Sequence, residues 1–157
     1  MWSKWPLGFR LSAAPDFPQH FPRLEPRSCV DGLSPADNSY NCIAWAVSLT
    51  TDWWEPDPFF QYYWPETAPR DYTLDAYIAA FQSRGFGVCN DGSLEAGIEK
   101  IAIYTLQGAP KHAARQLPNG NWTSKMGRFE DIQHFELSSI GGPFYGEASV
   151  YMARKVL

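Results

Sequence analysis

The sequence predicts an α+β fold, with N-terminal helices packed on an antiparallel sheet of about four to five strands. Helix-like segments come early, at residues 39–50 and from Thr73 to Gly85. From residue 100 the chain turns to β-branched and aromatic runs separated by turn residues, among them Asn119-Gly120, a strong hairpin signal. Helices followed by strands segregate into two layers. With 157 residues and 45% hydrophobic composition, the chain can bury one core as a single domain.

In chain order, residues 1–36 hold six of the thirteen prolines, with Trp2, Trp5, Phe9, Phe17 and Phe21 between them. Proline at this density interrupts helix, so the segment reads as an extended arm anchored by its aromatics on a core of residues 37–157. Ile43, Ala44, Ala46, Val47 and Leu49 are apolar nearly all round, which marks a buried helix. Asp37, Asn38 and Ser39 offer oxygens to cap its start. Residues 52–65 carry seven aromatics among three prolines, too irregular for either regular period. They form a loop, either a stacking platform for a sugar or peptide or a satellite of the core.

Thr73 caps an amphipathic helix bearing Leu74, Tyr77, Ile78 and Phe81, and Gly85 closes it. Residues 86–89 read as a short strand and 100–106 as a central strand covered on both faces. Residues 107–110 turn the chain into hairpin arms at 111–117 and 121–126. A helical turn or wide loop at 128–140 precedes a last strand over 144–156, with Gly141-Gly142-Pro143 breaking before it. With a two-residue Asn119-Gly120 turn, His112 stands opposite Gly127, Ala114 opposite Lys125 and Gln116 opposite Thr123, which sends Ser124 to the other face.

A net charge of −4 gives no electrostatic reason to bind nucleic acid or an anionic membrane. The three cysteines, Cys29, Cys42 and Cys89, form no CxxC pair, and His20, His112 and His134 lack zinc-site spacing to them. A reduced setting without disulfides, metal or cofactor is expected. Pro6, Arg10 and Pro15 interrupt any signal-peptide segment, and no apolar run reaches membrane-spanning length, so the expected location is cytoplasmic.

Chemistry centres on Cys42, which directly follows Asn41 at a helix start. A thiol in that position meets the positive end of the helix dipole, which favours thiolate; the plainer reading is a small buried hydrophobe. A cysteine nucleophile needs a base, and His112 opens the first hairpin strand. Cys29 and Cys89 lack the helix-start context and read as packing residues.

The order Asn41-Cys42 before a buried helix, then His112 in KHAARQL, then a downstream polar group resembles the papain-like superfamily of cysteine hydrolases, especially its compact NlpC/P60-type branch. The resemblance spans residues 37 to about 135. The segments NCIAWA, HAARQ and W-x-SK-x-G also resemble an uncharacterised bacterial domain family. The superfamily resemblance implies Cys42 as nucleophile, His112 as general base and Asp131 as the orienting residue, with Ser124, Glu130 and His134 as rivals. Ala36 stands where papain has a glutamine, so the oxyanion hole would use the Cys42 N–H with Asn38, Tyr40 or Asn41. Asn41, Trp53 and Trp54 would border the substrate, a peptide or protein. The resemblance further implies a bacterial effector or toxin exported by a dedicated system and met by a cognate inhibitor. Two other readings compete: a carbohydrate- or peptide-binding module using loop 52–65, and an acidic immunity or inhibitor protein.

Overall fold

The computed structural model describes residues 5, 11–31 and 34–156. Trp2 and Phe9, expected to anchor the arm, lie outside the described residues. Three helices, α1 (Phe17–His20), α2 (Cys42–Ala46) and α3 (Leu74–Gln82), accompany seven strands among the described residues. The strands are β1 (Cys29–Asp31), β2 (Gly87–Cys89), β3 (Ile98–Leu106), β4 (Ala109–Gln116), β5 (Trp122–Lys125), β6 (Asp131–His134) and β7 (Glu147–Lys155). They form one antiparallel sheet in the order β1-β6-β5-β4-β3-β7-β2. The α+β class stands, but the sheet has more strands than the four to five expected. The extra ones are short: β1 lies in the proline-rich arm, and β6 occupies part of the expected loop 128–140.

The sheet is covered on both faces. On one, Ile101, Ile103, Ala113 and Met152 meet α2 and α3 through Ala44, Trp45, Tyr77 and Phe81. On the other, Ala102, Tyr104, Ala114, Trp122 and Ile132 meet the arm through Leu11, Phe17, Phe21 and Leu24. Apolar residues on both sides of β3 explain its central place, since a strand with two covered faces reads as a continuous apolar run. The arm is not simply extended. It contains α1, 3-10 turns at Leu11–Ala13 and Pro26–Ser28, and the edge strand β1. Pro18 and Pro26 stand in the first turn of α1 and of the second 3-10 segment, at positions that need no donated N–H.

Two local expectations are corrected. The helix expected over 39–50 is the five-residue α2, which ends where Ser48 takes φ 64° and the chain reverses. The β4–β5 hairpin is out of the expected register by one residue. Gly120 N–H donates to Leu117 O, Leu117 N–H donates to Asn121 O, and Gly120 has φ 90°. This is a three-residue loop with Pro118 in a type I turn and glycine at the left-handed bulge, not a two-residue turn. Arg115 therefore pairs with Thr123 and Gln116 with Trp122. One residue of slip exchanges the faces: Ser124 joins His112 on the arm face, while Thr123 and Lys125 turn to α2.

Candidate functional site

Asn41 organises the region around Cys42. Its side-chain oxygen accepts from Ala44 N–H at 3.2 Å, capping α2, and from Trp54 N–H at 3.1 Å. Its amide nitrogen donates to Trp54 O at 2.7 Å. One side chain thus starts the helix and clamps the aromatic loop to it. The cap is Asn41, while Asp37, expected to help cap the helix, accepts from Ser39 N–H in its own turn. Asn41 borders the site expected for substrate, but its side chain is engaged by the fold.

Cys42 takes the first helical position, half-buried, with its sulfur against β4. Backbone N–H groups of Ala113, Cys42 and Ile43 and the Lys125 ammonium all favour the thiolate, but loss of water outweighs them and pushes the thiol up to about 11. The lowered thiol expected from a helix start does not occur. A five-residue helix has little macrodipole, and desolvation decides the balance.

The thiol borders a cleft of about 280 Å³ that Asn41, Trp53, Trp54, Lys111 and Tyr145 also line. Four of the expected site residues, Asn41, Cys42, Trp53 and Trp54, are thus brought together. The broad aromatic platform is not formed. Trp54 and Trp64 are buried in the core, Trp53 is half-buried with its indole N–H on Glu55, and Tyr62 and Tyr63 are 36% and 43% exposed. The residues that protrude are Phe59 and Phe60, at 80% and 76% exposure. Asp57 causes this by accepting from the Gln61 and Tyr62 N–H groups and from Arg70, which folds the loop around its own carboxylate.

His112 is fully buried on the arm face, stacked on Tyr145 (ring centres 4.1 Å apart) and edge-on to Tyr104. Neither ring nitrogen has a hydrogen-bond partner among the described residues. Burial, helped by nearby His134, holds this imidazole well below the usual histidine range. Ala113, the next residue, faces α2 and gives its N–H to the Cys42 sulfur, so thiol and imidazole flank the same stretch of β4. No hydrogen bond joins them.

Asp131 is not the partner of His112. It pairs across strands with Lys125, on the α2 face, and its carboxylate accepts from Ser34 N–H at 2.6 Å. The one-residue register difference is the reason. Among the rivals, Ser124 and His134 lie on the same face as His112 and bond each other, Ser124 Oγ to His134 Nε2 at 2.8 Å, while His134 Nδ1 donates to Glu136 O. Glu130 accepts from Leu11 N–H and ties down the arm. Sequence reasoning missed Tyr145, hidden in what read as the start of the last strand, and Lys125, which sits in the W-x-SK-x-G segment between Ser124 and Met126.

Among the described residues, no three His, Cys, Asp or Glu side chains gather to hold a metal ion, and no helix is long and apolar enough to cross a membrane. No curated protein and no solved structure matches the chain. Residues 32–153 match a family described as a domain of unknown function, DUF7689, and cover α2, α3 and most of the sheet. The candidate site and the helical face that builds it lie inside that match, and the chain belongs to the DUF7689 family.

Proposed function

We propose that this chain is a cysteine hydrolase of papain-like layout that cleaves an amide or isopeptide bond in a peptide or protein, with Cys42 as nucleophile and His112 as general base. The observation that carries the reading is the surroundings of Cys42. Its thiol borders an open cleft, three backbone N–H groups converge on it, and the adjoining β4 residue is an imidazole with both nitrogens unengaged. A buried polar group left unpaired costs about 1–3 kcal/mol, which a purely structural histidine would avoid by bonding.

With the thiol raised and the imidazole lowered, both groups rest neutral at pH 7, so sulfur attacks as its proton passes to His112. Cys42 lies on the α2 side of β4 and His112 on the arm side, so on this reading the start of β4 and the turn bearing Tyr145 rearrange when substrate fills the cleft and bring the imidazole to the sulfur. The S–C bond forms, and the carbonyl electrons move to an oxyanion facing the Cys42 N–H. As they return, the C–N bond breaks and His112 gives its proton to the leaving amine. Water, deprotonated by His112, then releases the acid and restores the thiol. Tyr145 and Tyr104 hold the ring by packing, the role first expected of a carboxylate.

The test is amine release from a peptide library. Cys42→Ala and His112→Ala should each abolish turnover, and the wild-type pH–rate profile should stay flat through neutrality, falling toward pH 11, where the thiol ionises, and in acid well below the usual histidine range, where His112 takes up a proton. Undiminished turnover by Cys42→Ala would sink the reading. A second reading, a binding module, has the exposed Phe59 and Phe60 in its favour. In that case Cys42→Ala leaves ligand binding intact and Phe60→Ser removes it.

A further inference from the structure

Lys125 belongs to the W-x-SK-x-G segment, which the hydrolase reading leaves unused. Its side chain is fully buried on the α2 face of β5. Nζ donates to Asp37 O and to Gly127 O, each at 2.6 Å, and lies 4.9 Å from the centre of the Tyr40 ring. Removing an ammonium from water is costly unless its protons find acceptors, and here two go to backbone carbonyls. Those carbonyls belong to two separate segments. Asp37 opens the stretch that leads through Tyr40 to Asn41 and Cys42, and Gly127 lines the Cys42 cleft.

We propose that Lys125 is a positioning residue for Cys42, tying the segment before α2 to the Gly127 turn and presenting a buried positive charge to the sulfur. The proposal rests on Cys42 being the reacting group of the hydrolase reading. A buried cation favours the anionic form of a neighbouring thiol and stabilises charge building on it during attack. The other groups near Cys42 are Tyr77 of α3, Tyr145, Lys111 of β4, and Glu55 and Tyr72 across the cleft. Those facing Lys125 are Asp37, Glu130, Asp131 and Cys42 itself; burial holds the ammonium below the usual lysine range, and these negative charges offset part of that loss. Among these neighbours Lys125 and Lys111 are the two cations, and Lys125 is the buried one.

The experiment is the rate of Cys42 alkylation by iodoacetamide in the full chain, followed by peptide mass mapping between pH 7 and pH 10. Lys125→Gln retains an N–H donor for the two carbonyls and removes the charge; Lys125→Met removes both. The Gln variant should keep its circular dichroism yet label Cys42 about three- to tenfold more slowly at pH 9. A thiol made about tenfold less acidic holds about a tenth of the thiolate, and a more basic thiolate recovers part of that through its greater nucleophilicity. Lys125→Arg, which retains charge, should label near the wild-type rate. A folded Gln variant with the wild-type profile overturns the proposal, as does an Arg variant as slow as Gln. Alkylation needs no substrate, so that result removes the role of Lys125 alone. Absent turnover with a normal Lys125 dependence removes the hydrolase reading instead.

Discussion

His134 shows how burial sets the behaviour of single residues here. Loss of water in the fold pushes its titration down to about 4, with its Nδ1 proton on Glu136 O and its Nε2 on Ser124. The unfolded chain binds the proton near pH 6.5, so the unfolded state takes up more protons below that pH. Stability from this group is complete above pH 6.5 and is lost as pH falls through 4, a change of about 3 kcal/mol. His112 acts in the same direction. Urea unfolding at pH 7, 5.5 and 4 should therefore show a steep acid loss that His134→Gln makes shallower. Equal slopes in the two proteins would contradict the assignment. Cys42 obeys the same physics with opposite charge: a helix start was legible in the sequence, but the desolvation that governs its thiol was not.

At the scale of elements, two turns decide which side chains meet. In the β4–β5 hairpin, Asn119-Gly120 signals a turn correctly, yet Pro118 in the first corner makes it three residues long and moves every cross-strand pair by one. That single step carries Ser124 to the face of His112 and Lys125 and Asp131 to the face of Cys42. The second turn, residues 142–146, closes through paired bonds between Gly142 and Gly146 and delivers Tyr145 onto His112. Gly146 has φ 75°, and a Cβ there would stand 1.8 Å from Thr105 O. Gly146→Ala should therefore cost more than about 3 kcal/mol, since backbone must move on both sides. A thermal midpoint within a degree or two of wild type would show that the turn relaxes freely.

The whole molecule is a sheet with two unlike covers. Helices α2 and α3 cover one face within the family match at 32–153, whereas Leu11, Phe17, Phe21 and Leu24 of the arm cover the other and precede it. Each such buried side chain contributes about 2 kcal/mol. Deleting residues 1–28 should uncover Tyr104, Trp122 and the His112 side of the sheet, replacing cooperative unfolding with dye binding to exposed apolar surface. A truncated chain that melts cooperatively at the wild-type temperature would show that the arm is dispensable.

By itself the sequence determined the α+β class, the Thr73-capped helix, the central covered strand at β3 and the pairing of Asn41 with Cys42 at a helix start. These follow from local signals: caps, periodicity and two-sided apolar runs act within a few residues. Tertiary structure alone decided the short edge strands, the face on which His112 lies, the engagement of Asp131 elsewhere and the burial of Trp54 and Lys125. Each depends on strand register or on water excluded by segments far away in the chain. A change of one residue in a turn reverses a face, and a thiol's acidity responds to desolvation that no nearby residue encodes.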